Sequence, residues 1–167
     1  MRKTLRVAAY AVVVRNGQIL LARSPADGGG HEWVLPGGGM EHGEDPYDTV
    51  RRELMEETGY RVDVTGLLGI DSVRHTFTHR RRRPVDHQGL RLVYEGLITG
   101  GELRPETNGS TDLAAWHDLG AVAGLRKVRM VDAGLELWLE RPVTGRVTKA
   151  AGQGWETGPV ERGYPGK

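Results

Sequence analysis

Three glutamates, Glu53, Glu56 and Glu57, fall within five consecutive residues. Wound into a helix they make one row: with Glu53 at zero, Glu57 lies at about +40° and Glu56 at about −60°. Val50, Leu54 and Tyr47 follow at about +60° to +120°, an adjoining apolar stripe suited to packing on a sheet. Carboxylates this close repel by roughly a few tenths of a kcal/mol per exposed pair, and by more once partly buried. A divalent cation reverses the sign. Magnesium takes hard oxygen ligands and keeps places for water or phosphate oxygens, and manganese can substitute. The row therefore reads as a Mg²⁺ site. The competing reading is a solvated acidic face paired with Arg51, Arg52 and Arg61.

The helix that must carry this row has both ends written locally. Asp45 is a good N-cap, Pro46 suits the first helical position and Asp48 adds acid to the first turn. Gly59 supplies the left-handed residue that ends it. Upstream, residues 5–14 and 18–23 read as paired strands around the turn Asn16-Gly17. Residues 24–31 are a Gly-rich loop, Trp33-Val34-Leu35 a short apolar run, and Gly37-Gly38-Gly39 flexible backbone. Strands are expected near 61–70, 71–78, 90–98 and 113–117. A last helix fits 127–139, where Val128, Val131, Leu135 and Trp138 recur at helical spacing. Strands and helices in mixed order point to a layered α/β domain over residues 1–140. Residues 141–167, rich in Gly and Pro and with five basic against two acidic side chains, read as a tail that could dock on the body or on a second subunit.

Composition narrows the chemistry further. The chain has 167 residues and a net charge of +1, so no global field draws it to nucleic acid or membrane. The absence of cysteine removes disulfides, thiolate zinc sites and a cysteine nucleophile together. His75, His79, His87 and His117 do not form a recognised zinc set. Met1 to Val14 loosely resembles a signal peptide, but Arg6 interrupts the apolar run and the hairpin accounts for it, so a cytoplasmic protein is expected.

Gly38, then Glu44 after five residues, then Arg52-Glu53-Leu54-Met55-Glu56-Glu57-Thr58-Gly59-Tyr60 after seven more, resembles the complete signature of the Nudix (MutT-like) hydrolases. Seven fixed letters at roughly 7% each recur by chance on the order of 10⁻⁸ per position. Trp33-Val34-Leu35-Pro36-Gly37-Gly38-Gly39 resembles the usual lead-in, and Ala115-Trp116-His117-Asp118-Leu119 the strand before the final helix. The resemblance implies an α/β/α sandwich around a mixed sheet that hydrolyses a phosphoanhydride in a nucleoside-diphosphate-linked substrate. It implies Glu53, Glu56 and Glu57 as metal ligands, and Arg52 with Glu44 as the pair that orients loop and helix. It also implies that Gly38 lets the loop approach the helix, with Gly39 beside it at the substrate.

Other assignments rest on less. Glu53, central in the row, is the leading general base; Glu106 or Asp112 could serve as a distal acid. Arg23 could hold a phosphate. Arg80 and Arg82, within Arg80-Arg81-Arg82-Arg83, either form a solvated turn or grip a polyphosphate. Without interleaved aromatics this patch is a poor nucleic-acid surface. A non-catalytic ligand sensor on the same fold and RNA-end processing are the alternative functions. A two-fold dimer is a reasonable expectation for so small an enzyme.

Overall fold

The computed structural model describes residues 1–26, 28–77, 84–106 and 109–147. Its strands are β1 (Arg2–Val12), β2 (Val14–Arg15), β3 (Gln18–Pro25), β4 (His31–Val34) and β5 (Gly37–Gly39), then β6 (Tyr60–Phe77), β7 (Val85–Gly101) and β8 (Leu113–Asp118). Helix α1 spans Pro46–Thr58 and helix α2 spans Arg129–Glu140, the latter after a 3₁₀ turn at Leu119–Gly124. One sheet runs β5-β1-β7-β6; the other runs β2-β3-β4 with β8 on the far side of β3. β1 and β7 are parallel and their other neighbours antiparallel, so the larger sheet is mixed.

β1 explains the layering. Ala9 and Ala11 pack with Val50 and Leu54 of α1, while Val12, one residue out of phase, packs with Val131 and Leu137 of α2. Alternating side chains of one strand thus feed two cores, one per face, and a helix closes each. The expected α/β/α sandwich is the observed architecture.

Asn16 and Gly17 both take positive φ, 52° and 77°, as a two-residue hairpin turn requires. The hairpin itself is short. Only Val14↔Ile19 and Arg15↔Gln18 pair in register, and β1 then leaves to lie between β5 and β7. A strand apolar on both faces belongs in a sheet interior, where one long hairpin would not have put it.

Four further expectations are revised. The strands expected at 61–70 and 71–78 are, as far as residue 77, one continuous strand, β6, whose register shifts near Val62, Gly66 and Gly69 absorb the irregularities that read as a break, and residue 78 lies outside the described residues. β7 is longer than 90–98, starting at Val85 opposite Phe77. The three glycines 37–39 are a strand paired to Ala8, Ala9 and Tyr10, because the lack of side chains lets this edge approach closely. The Gly-rich loop is correspondingly shorter than 24–31, with Pro25 and His31 themselves in strands. Arg80 and Arg82 lie outside the described residues.

The segment after α2 packs on the body as far as it is described. The Ile70 N–H donates to the Gly145 carbonyl at 2.8 Å, and Val147 is buried with the α2 core. No helix among the described residues is long and apolar enough to cross a membrane.

Candidate active site

Helix α1 is fixed as its ends require. The Asp45 carboxylate accepts from the Tyr47 N–H at 2.8 Å, and Gly59, at φ 77°, donates its N–H to the Met55 carbonyl at 3.0 Å. Buried Val50 and Leu54 hold the helix to the sheet and so fix the orientation of its acidic edge.

The three glutamates of that edge differ in environment. Glu57 is 2% exposed, and its Oε2 accepts from the Gly37 N–H at 2.9 Å. Glu53 has a side chain 15% exposed, with Oε1 2.8 Å from an Arg52 nitrogen. Glu56 is at the rim, its side chain 49% exposed and 3.4 Å from the same guanidinium. Burial raises the Glu57 carboxyl well above the usual range, and the charges of Glu53, Glu106 and Glu56 push it the same way. Burial also raises Glu53, against the pull of Arg52. The row therefore stores electrostatic cost.

Arg52 is the hub. Its Nε and one terminal nitrogen reach both oxygens of Glu44, at 2.8 and 3.0 Å, the two-pronged geometry that suits a guanidinium to a carboxylate. The Arg52 hydrogen bonds are the largest influence holding Glu44 down to about 2, with the Glu41 N–H and Thr49 hydroxyl adding to it. The same guanidinium donates to the Gly39 carbonyl at 3.3 Å, so it ties loop, strand β5 and helix together.

Gly38 is where the strand meets the helix. A β-carbon built on it would stand 2.6 Å from Glu53 Oε1, a contact no alanine makes without displacing that carboxylate. Gly37 is tighter still, since a β-carbon there would run into the backbone of Ala9 and Tyr10.

Among the described residues no group of three acidic or histidine side chains converges into a ready-made metal cage. The Glu57 and Glu53 carboxylates are instead engaged by Gly37 and Arg52. The donor chemistry nevertheless fits a hard divalent cation. Three carboxylates share one edge, and two have their ionisation opposed by burial and mutual repulsion, a cost that a doubly charged ion removes.

The structure distributes the remaining sequence candidates unevenly. Glu106 lies within electrostatic reach of Glu53 and Glu57, raising both, and accepts from the Thr111 N–H and hydroxyl at 3.0 and 2.8 Å. Asp112 is not with them: it grips Arg23 through both oxygens at 2.9 and 2.8 Å, with His31 3.3 Å away. Arg23, which by sequence could hold a phosphate but reads more readily as a surface arginine, is thus paired with a carboxylate. Sequence reasoning missed Gly37 as the donor to Glu57; the glycine run was its only signal. It also missed buried Asp71, which holds Arg129 at 2.6 Å and Arg91 at 3.3 Å, because no local pattern links residues so far apart.

The chain belongs to a known family: the NUDIX domain profile matches residues 4–139, which include this helix, loop and strand. The MutT-like protein of Streptomyces ambofaciens is 48% identical over 64 residues, covering 38% of this chain and 40% of that protein. The NAD-capped RNA hydrolase NudC of Chromobacterium violaceum is 35% identical over 118 residues, 70% of this chain and 40% of that protein. The chain thus spans less than half the length of these curated relatives. The structure of a NUDIX hydrolase from Nitrosomonas europaea superposes with a TM-score of 0.66 at 21% identity, covering 82% of this chain and 90% of that one, a likeness of fold.

Proposed function

We propose that the protein hydrolyses a phosphoanhydride bond in a nucleotide-type diphosphate, with Mg²⁺ or Mn²⁺ held by Glu53, Glu56 and Glu57. The observation that carries this reading is the Glu57–Gly37 and Arg52–Glu44–Gly39 framework. It keeps buried carboxylates against a strand with no side chains, beside which a phosphate chain can lie close to backbone. The bound cation would neutralise charge on the diphosphate and acidify the attacking water.

The chain's own residues do the rest. Glu53, less buried than Glu57, accepts the proton as water adds to phosphorus. The bridging P–O bond breaks and the second phosphate leaves, giving two phosphate products and one proton. Arg52 positions Glu53 from one side while its pair with Glu44 fixes the loop. Glu106 acts on the same carboxylates through space and is the reserve base; Asp112 is a structural partner of Arg23. Residues 1–140 form the catalytic domain, with 141–167 an appendage.

Relatives named for MutT likeness and for hydrolysis of NAD-capped RNA support the bond class. A panel of ADP-ribose, dinucleoside polyphosphates, nucleoside triphosphates and capped RNA, incubated with Mg²⁺ or with chelator, tests the reading. Magnesium-dependent cleavage between two phosphates of at least one compound is expected. Tight binding with no cleavage of any would replace it with a ligand sensor.

A further inference from the structure

The chain between β7 and β8 passes the acidic row, and it is tied to the body on both sides of Glu106. On the β7 side, the Arg104 N–H donates to the Thr58 carbonyl at 3.0 Å, one residue beyond Glu57. Gly59 makes room for this contact: a β-carbon there would run into the Glu102 carbonyl and stand 2.5 Å from the Arg104 side chain. On the β8 side, the Asp112 N–H donates to the Arg23 carbonyl at 3.1 Å, and the Asp112–Arg23 side-chain pair repeats the tie. The chain is thus pinned to the end of α1 before Glu106 and to β3 after it.

Glu106 is itself cradled. Its Oε2 accepts from both the N–H and the hydroxyl of Thr111, at 3.0 and 2.8 Å. Thr111 is 5% exposed, so both donors belong to a residue withdrawn from water. On another side Gly109 leaves the space that the carboxylate fills, since a β-carbon there would run into it. Among the described residues Oε1 takes no hydrogen bond and the carboxylate pairs with no cation. One oxygen is held and the other is open. The charge of Glu106 reaches Glu53 and Glu57. A half-buried carboxylate brought towards like charges, with no cation of its own, turns out into water unless something holds it. The two donors of Thr111 hold it.

We propose that Thr111 is the positioning residue of Glu106, fixing one of its oxygens so that the other is presented to the edge formed by Glu53, Glu56 and Glu57. The inference rests on the proposed function, because that edge must hold a cation for the added charge to count. Thr111 touches neither cation nor substrate and acts through Glu106. A bound dication is attracted by every carboxylate within reach, so a fixed Glu106 tightens its binding and a swinging one does less. The hydroxyl is the part of Thr111 that a substitution removes, since any residue but proline keeps the N–H.

The test is a double-mutant cycle on Mn²⁺ affinity, read from free Mn²⁺ by EPR without substrate, so that no turnover is needed. Thr111→Val keeps the shape and the N–H but loses the hydroxyl, and should weaken Mn²⁺ binding about threefold or more. Thr111→Ser retains the hydroxyl and should keep the affinity. Gly109→Ala, whose methyl displaces the carboxylate, should match Thr111→Val, and it stands in should the valine variant fail to fold. In a Glu106→Ala background neither change should weaken binding further, because the group they act through is gone. A merely structural threonine would give additive losses in that background, or equal losses in the valine and serine variants. Either result overturns the inference, as does wild-type affinity in both Thr111→Val and Gly109→Ala. Wild type that binds no Mn²⁺ overturns the proposed function and this inference together; wild type that binds it with an additive cycle overturns this inference alone.

Discussion

The Glu53 carboxylate lies directly over the α-carbon of Gly38, so close that a single methyl group would stand 2.6 Å from its Oε1. The obstacle to that methyl is the far end of a flexible side chain, whereas at Gly37 it is the backbone of Ala9 and Tyr10, at a φ of 138°. The two glycines should therefore fail differently. Gly38→Ala is expected to keep its Tm within a few degrees yet lower kcat tenfold or more, because the displaced carboxylate loses its alignment. Gly37→Ala should lower Tm sharply, with strain of roughly 1–3 kcal/mol or more. Thermal melts paired with turnover separate the two; equal loss of Tm in both would contradict the geometry.

Glu57 supplies the clearest trade between stability and function. Its burial opposes ionisation, so Glu57→Gln, which retains an oxygen for the Gly37 N–H, should leave Tm in chelator unchanged or raised. Its kcat should fall by about two orders of magnitude or more as one ligand charge is lost. Magnesium should raise the Tm of wild type and much less that of the variant. Near-wild-type kcat would remove Glu57 from the metal site.

Glu44 links folding to pH. Its folded value, about 2, lies below the 4.5 of an unperturbed glutamate. The pair with Arg52 therefore contributes fully above pH 4.5 and is lost as pH falls from there towards 2. Partial exposure limits the contribution to about 1 kcal/mol. Glu44→Gln should lower stability at neutral pH and flatten the decline over that acid window, read from denaturant midpoints at each pH. A variant whose acid profile tracks wild type would show that Arg52 does not depend on this charge.

The start of the appendage should be part of the fold. Removing residues 141–167 uncovers the site of Val147, 6% exposed, and leaves the Ile70 N–H without the Gly145 carbonyl. A loss of about 1–3 kcal/mol is expected. Gly69→Ala, whose methyl would run into the Gly145 carbonyl, should reproduce much of it in the full chain. An unchanged Tm for both would make the segment a passenger.

Much of this was legible in the chain itself, and the reason is locality. Helix α1 carries its cap, its stop and its acidic row within fifteen residues, so Asp45, Gly59 and the three glutamates could be placed from spacing alone. β1 was harder. Its turn at Asn16-Gly17 reads clearly, but its partners β5 and β7 lie far along the chain, and only its apolar residues on both faces hinted at an interior position. The glycine run 37–39 resembled slack backbone because a strand without side chains has no periodicity to display. Asp112 and Arg23 illustrate the limit for the site: each looked available for catalysis or phosphate, and pairing across 89 residues ties one to the other.

The central claim is that the edge formed by Glu53, Glu56 and Glu57 holds a divalent cation. Anomalous diffraction from crystals soaked in Mn²⁺ with a non-hydrolysable diphosphate tests it most directly. A peak within about 2.5 Å of carboxylate oxygens on that edge, adjacent to Gly38, is the predicted result. Bound diphosphate with no peak there, or a peak held by other residues alone, would contradict the account.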